Sequence, residues 1–185
     1  MNFVEPIRDL DQLKEFEEYF KKTSERNYVM FLVGIHTSLR ISDILKLRVG
    51  DLQGTHLNIV EQKTGKRKRI VLRPVLRKAL ADYCKGKHPN EYLFVSRKRT
   101  KSGARRPITR QAADKILKDA AKAIGYRDRI GTHSMRKTFA YHYYDQTGDV
   151  ASLQKILNHR DQNTTLIYIG VEQDMIDNKI LKVRY

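Results

Sequence analysis

The chain has 185 residues, 40% of them hydrophobic and 31% charged, which suits one soluble-type domain with a single buried core. Its formal net charge of +16 makes nucleic acid the first partner to consider, through phosphate contacts and counterion release. The single cysteine, Cys84, excludes an internal disulfide or a cysteine-based zinc cluster, and the longest apolar run, YVMFLVGI at 28–35, is too short for a membrane span.

The N-terminus carries acids early and lacks the order of a secretion signal, so an intracellular protein is expected. Residues 9–22 place Leu10, Leu13, Phe16 and Phe20 on one helical face, with acids first and lysines last. Residues 25–36 are apolar all round, as a buried helix is. In the next segment, TSLRISDILKLRVGDL, Ser42 is the expected cap of a short helix that packs Ile44, Leu45 and Leu47 inward. Arg40 falls in the turn before that helix, where a charge is not buried without a partner. Asp43 either braces Arg40 or favours the helix start.

From His56 the period changes to two. HLNIVEQ alternates around Leu57, Ile59 and Glu61, KTGK supplies a Gly-containing turn, and RKRIVLR resumes the extended pattern. This predicts a β-hairpin with Lys63 at its bend. Pro74 opens a helix that ends near Gly86, and YLFVS at 92–96 reads as a short strand. The run 97–106 is a basic loop, and Thr109 caps a helix that stops at Gly125. Two basic clusters result. Lys66, Arg67, Lys68 and Arg69 lie on the hairpin; Arg97, Lys98, Arg99, Lys101, Arg105 and Arg106 lie in the loop. Both are candidate DNA contacts.

The stretch from Thr132 to Tyr168 carries the chemistry. With Thr132 as N-cap, His133 and Arg136 share one face near the positive end of a helix. A second helix from about Asp149 ends near His159, and a third from about Asn163 carries Tyr168. Three helix ends then converge on one anion, with a phenol as the reacting group. A tail follows in which Met175, Ile176, Ile180 and Leu181 suit one or two amphipathic turns. The chain reads as one mostly helical α+β domain with a small antiparallel hairpin sheet.

The ordered motifs R-x-S-D at Arg40–Asp43, K-T-G at Lys63–Gly65, H-x-x-R at His133–Arg136 and L-N-H at Leu157–His159, followed by Tyr168, resemble the catalytic domain of the tyrosine recombinases. That group includes phage and transposon integrases, and its catalytic domain is related in fold to type IB topoisomerases. The resemblance covers residues 9–175. It implies that Arg40 and Arg136 clamp the scissile phosphate and that Lys63 protonates the leaving 5′ oxygen. It further implies that His133 assists proton transfer or binds phosphate, that His159 donates to a nonbridging oxygen, and that Tyr168 is the nucleophile. Asp43 takes a supporting place. One departure stands at Asn158, where the family often has Gly; it bears on the local turn, not on the chemistry.

The implied reaction is site-specific breakage and rejoining of DNA strands by transesterification through a 3′-phosphotyrosyl bond, with no metal, ATP or other cofactor. A free tyrosine, with a pKa of about 10, is ionised only about one part in a thousand at neutral pH, so surrounding cations must favour attack. Double-stranded DNA is the implied partner, with dimers or tetramers of this chain assembled on it, no membrane, and a cytoplasmic setting in a bacterium or phage host. The expected domain is the catalytic one over 1–185 without a separate N-terminal DNA-binding domain, with the 171–185 tail packed on a neighbouring protomer. A fragment of a longer recombinase is the other reading. Lys66, Arg67 and Lys68 compete with Lys63, and Tyr141, Tyr143, Tyr144 and Tyr185 with Tyr168. The rival functions are a topoisomerase-like DNA-relaxing enzyme and a non-catalytic DNA-binding accessory protein.

Overall fold

The computed structural model describes residues 4–52, 54–98, 103–170, 180, 181 and 183. Among them, α1 (Leu10–Thr23) starts where Asp9 accepts hydrogen bonds from the Asp11 and Gln12 amides, and ends with Lys21 and Lys22 on the negative end of its dipole. Its buried face is Phe16 and Phe20, four apart, which pack on Phe31 with ring centroids 5.7 and 5.2 Å away. Leu10, expected on that face, is instead 56% exposed, because the first turn overhangs the core.

Ser24 caps α2 (Glu25–Thr37), whose residues from Val29 to Ile35 are all buried. This helix is the central post of the domain, packing against α1 and against two later helices, α4 (Pro74–Cys84) and α6 (Thr132–Thr147). Gly34 lets α6 approach: a Cβ there would lie 2.8 Å from Met135 Cβ. The short α3 (Ile41–Ile44) follows. Arg40, not Ser42, holds its N-cap position, and Ser42 lies one residue inside the helix. Ile41, Leu45 and Leu47 anchor the segment in the core.

Strands β1 (His56–Val60) and β2 (Arg67–Val71) pair antiparallel from His56 opposite Val71 to Val60 opposite Arg67, as the alternation predicted. YLFVS at 92–96 does not form a strand. It makes only single bridges, Tyr92 with Arg48 and Val95 with Pro107, and a proline partner has no N–H with which to extend a ladder. Thr109 caps α5 (Arg110–Ala123) as expected, accepting from the Ala112 amide.

Gly131, not Thr132, caps α6, and the Ser134 hydroxyl accepts from the Gly131 amide at 3.2 Å. Asp149 and Asp161 cap α7 (Val150–Leu157) and α8 (Gln162–Ile169) through bonds from the Ser152 and Thr164 amides. These last helices bury their own small cluster, Ala140, Leu153, Leu157 and Ile169, against which Tyr143, Tyr144 and Tyr168 pack. The main core is separate and extends from Ile7 to Met135. The Ile7 amide, donating to Thr138 Oγ1 at 2.9 Å, straps the N-terminal segment onto α6. The fold is mostly helical with one two-stranded sheet. Of the predicted tail, Met175, Ile176 and Tyr185 lie outside the described residues.

Candidate active site

Arg136 is buried in the second turn of α6 and bonds two carbonyls at helix C-termini. One of its terminal nitrogens donates to Ser38 O at the end of α2, and the other to Leu157 O at the end of α7, at 2.6 Å. Carbonyls at helix C-termini carry the negative end of the dipole, which offsets the desolvation of the guanidinium. Two of its five N–H donors are thereby used, and the Tyr168 hydroxyl lies within reach of the guanidinium as well. The ends that converge here are therefore the C-termini of α2, α7 and α8 and the start of α6. Arg136 supplies positive charge where these ends meet, beside the helix start that the sequence predicted.

Arg40 lies at the start of α3, with Nη1 3.1 Å from Glu61 Oε2. Asp43 is buried, and its Oδ1 accepts from the Gln62 amide at 3.0 Å. The partner of Arg40 is thus Glu61, while Asp43 ties α3 to the hairpin turn. Lys63 stands exposed in that turn. Lys68, inside β2, is the hairpin lysine that reaches inward: its Nζ donates to Ile156 O at 2.7 Å and lies 3.9 Å from Glu61 Oε1. Burial, with Arg136 behind it, lowers Lys68 to about 8 against the opposing pull of Glu61. Lys66 Nζ bonds Asn158 Oδ1 at 2.9 Å.

Asn158, the departure from Gly, has φ 54° and ψ 46° as the C-cap of α7. Asparagine is among the few non-glycine residues at ease there, so the turn before His159 is kept. His159 Nδ1 lies 3.1 Å from Thr165 Oγ1, whose own hydroxyl faces Asp161 O at 3.3 Å. This pattern assigns the proton to Nδ1 and leaves Nε2 the open nitrogen. The His159 ring meets the Tyr168 ring edge-on, with centroids 5.1 Å apart. Desolvation and then Arg136 hold His159 below its ordinary value.

Tyr168 sits in the last turn of α8. Its hydroxyl is buried within reach of the Arg136 guanidinium, and makes no hydrogen bond of ordinary geometry among the described residues. Burial raises its pKa, opposed by the nearby charges of Arg136 and Arg40. Lys137 Nζ stands 5.3 Å from the centre of the same ring. His133, on the first turn of α6, is lowered by desolvation and next by Arg110, a cation at the start of α5 that the sequence did not single out. Its place immediately after the Thr109 cap was the available signal.

Arg40, Arg136, His159 and Tyr168 come together in this way, with His133 at the rim. Arg67 and Arg69 are exposed on the outer hairpin. The second basic run is elsewhere. Arg97, Lys98 and Arg106 line a cleft of about 550 Å³ beside Tyr19 and Arg26, at the N-terminal end of α2. The site is at the other end of that helix, about 20 Å away along its axis. Arg105 pairs with Glu91 at 3.2 Å, and Arg99 and Lys101 lie outside the described residues. Among the described residues no three His, Cys, Asp or Glu side chains gather as metal ligands.

A cationic cluster of this form, with a buried phenol beside it, can hold a phosphodiester against a nucleophile. Residues 8–175 match the sequence profile of the phage integrase family. The chain belongs to the phage integrase family. This integrase-family chain is 43% identical over 175 residues to the probable integrase/recombinase YoeC of Bacillus subtilis, covering 94% of itself and 93% of that protein. It is 27% identical to the tyrosine recombinase XerD of Listeria monocytogenes, where it spans 57% of the relative's length. The crystal structure of XerA recombinase superposes on 98% of the chain with a TM-score of 0.78 at 24% identity, and the chain covers 67% of it. That likeness establishes the shared fold.

Proposed function

We propose that this integrase-family chain is a site-specific DNA recombinase that breaks and rejoins strands through a 3′-phosphotyrosyl bond. The observation that carries the reading is the Tyr168 hydroxyl, which is buried beside the Arg136 guanidinium and acted on by the charges of Arg136 and Arg40. A buried hydroxyl with no bond of ordinary geometry costs stability, and its place against two guanidiniums suits a reacting group.

In the proposed step the Tyr168 oxygen attacks the scissile phosphorus and its proton passes to a base. The bond from phosphorus to the 5′ oxygen breaks, and that oxygen leaves with a proton. Arg136 and Arg40 stabilise the charge on the nonbridging oxygens, as fixed guanidiniums can at any relevant pH. Lys63, carried by the hairpin turn, is assigned the proton to the leaving oxygen, and His133 the proton from Tyr168 or a phosphate contact. His159, with Nδ1–H turned to Thr165, would donate to the phosphate through Nε2 as an imidazolium. Desolvation keeps it neutral until a phosphate anion arrives. The covalent bond conserves the energy of the phosphodiester, so rejoining needs no ATP.

Double-stranded DNA is the proposed partner, drawn by the +16 charge. Assembly as a pair or tetramer in the cytoplasm belongs to the same proposal.

The test is a covalent-adduct assay in EDTA on nicked duplexes that trap cleavage. An SDS-resistant adduct formed by the wild type and lost in Tyr168→Phe and Arg136→Ala is the expected outcome. An adduct that survives Tyr168→Phe would move the nucleophile elsewhere. Relaxed circles without recombinant junctions would favour the topoisomerase-like reading instead.

A further inference from the structure

Glu61 is the buried charge at this site for which the proposed chemistry has no use. It continues the inward alternation of Leu57 and Ile59 just past β1, and only 1% of it is exposed. Its Oε2 lies 3.1 Å from Arg40 Nη1, accepts from Thr64 Oγ1 at 2.9 Å and accepts from Asn158 Nδ2 at 3.4 Å. Burial alone would raise the carboxyl, but the Thr64 hydroxyl, Arg40 and Lys68 outweigh it and hold it below its ordinary value. Glu61 is therefore an anion that touches the start of α3, the hairpin and the end of α7.

The backbone closes the same knot. The Glu61 amide donates to Lys66 O at 3.0 Å, and the Gly65 amide donates to Glu61 O at 2.8 Å. Lys63 lies inside this closed turn. Asn158 supplies the second anchor, because its amide oxygen takes Lys66 while its NH₂ faces Glu61. A glycine would give the left-handed turn but neither bond. A buried ion pair is seldom the most stable filling for its volume, since an apolar side chain of the same size often does as well. What an apolar residue cannot do is fix a guanidinium and a turn at once.

We propose that Glu61 is a positioning residue for strand cleavage, which holds Arg40 and the Lys63 turn in fixed register on the end of α7, with Asn158 as its second anchor. The proposal rests on the recombinase reading above. Glu61 acts through Arg40 and Lys63 and touches no DNA.

The experiment uses the full chain as wild type, Glu61→Gln, Glu61→Ala and Asn158→Gly. The first readout is hydrogen exchange at the Gln62 and Gly65 amides without DNA. The second is the rate of adduct formation on a nicked duplex pool, made with an ordinary scissile linkage or with sulfur in place of the bridging 5′ oxygen. A thiolate leaves without needing a proton, so the sulfur linkage bypasses Lys63.

Glu61→Ala and Asn158→Gly should speed exchange in the turn while α1 and α5 stay protected. Displacing reacting groups by about 1 Å costs about 10²-fold, and Glu61→Ala should lose that much on the oxygen linkage and regain part of it on sulfur. Glu61→Gln keeps the shape and the neutral bonds but frees Arg40, so its loss should be the same on both linkages. An unchanged rate in Glu61→Ala, or faster cleavage by Glu61→Gln, would overturn the positioning role alone. No wild-type adduct on either linkage would overturn the recombinase reading and the role with it.

Discussion

Replacing Gly34 by alanine tests the packing that aims the site. The added methyl would lie 2.5 Å from Met135 Sδ and 2.8 Å from Met135 Cβ. The sulfur can swing aside, but the Cβ is fixed to the backbone of α6. Ordinary carbon contacts begin at about 3.5 Å, so α2 and α6 must part by roughly 0.7 Å. Overpacking of this kind costs about 1–3 kcal/mol, and the gain from Gly to Ala in a helix returns about 0.8–1.0 kcal/mol. The net change runs from near zero to a loss of about 2 kcal/mol, or a fall in Tm of up to roughly 8 °C for a domain this size. The displacement matters more to activity than to stability, because α6 carries His133 and Arg136 while α2 ends at the Ser38 carbonyl that Arg136 bonds. A shift of that size should slow adduct formation by at least about tenfold. Thermal melting and single-turnover adduct assays on the same preparation check both parts. A variant that melts higher than wild type and cleaves at the wild-type rate would refute the close approach of the two helices.

Three further outcomes follow from other sites. Ser38 has φ 57°, and its hydroxyl is buried without a hydrogen-bond partner among the described residues, so Ser38→Gly should relieve backbone strain worth roughly 1–2 kcal/mol and raise Tm by a few degrees; a lower Tm would count against that strain. Lys68 titrates at about 8 in the fold but at about 10.4 unfolded, so the unfolded chain holds more protons between those values. Stability should therefore rise as pH climbs through that window, and urea melts of Lys68→Met at neutral pH and at about pH 10 should show the rise abolished. DNA affinity should fall steeply with salt, by about 10³–10⁵ between 50 and 200 mM if six to ten phosphates are engaged, and Arg110→Ala should lower the slope by about one contact. Fluorescence anisotropy at several salt concentrations reads both.

Much of the fold was legible because each signal was local. An amphipathic and an all-apolar run marked α1 and α2, Thr109 and Asp149 marked the starts of α5 and α7, and the change of period at His56 marked the hairpin. Where two neighbours competed for one role, the local signal failed. Arg40 rather than Ser42, and Gly131 rather than Thr132, took the N-cap positions, because core packing of Ile41 and the bond from the Gly131 amide to the Ser134 hydroxyl set the helix starts. YLFVS had the composition of a strand, but its opposite number is Pro107, which no window around residue 92 reveals. The motif order named Arg40, Arg136, His159 and Tyr168, which the fold brings together. It did not find Glu61 as the partner of Arg40, since Asp43 was nearer in the chain. The bonds that define that role reach from Glu61 to Asn158 and from Lys66 to Asn158, contacts fixed only by tertiary structure.

The unequal bonding of Arg136 and Tyr168 also decides which position tells a living enzyme from a relic. Arg136 joins the ends of α2 and α7, so a descendant that had stopped cutting DNA would still keep this arginine to stay folded. The Tyr168 hydroxyl makes no bond of ordinary geometry among the described residues, and phenylalanine would fill the same space beside His159 and Lys137. Once selection for cleavage lapsed, that oxygen would be the first atom of the site to disappear. Among decaying copies in a genome, loss of activity is read at Tyr168, and persistence of Arg136 reports only a fold that still closes.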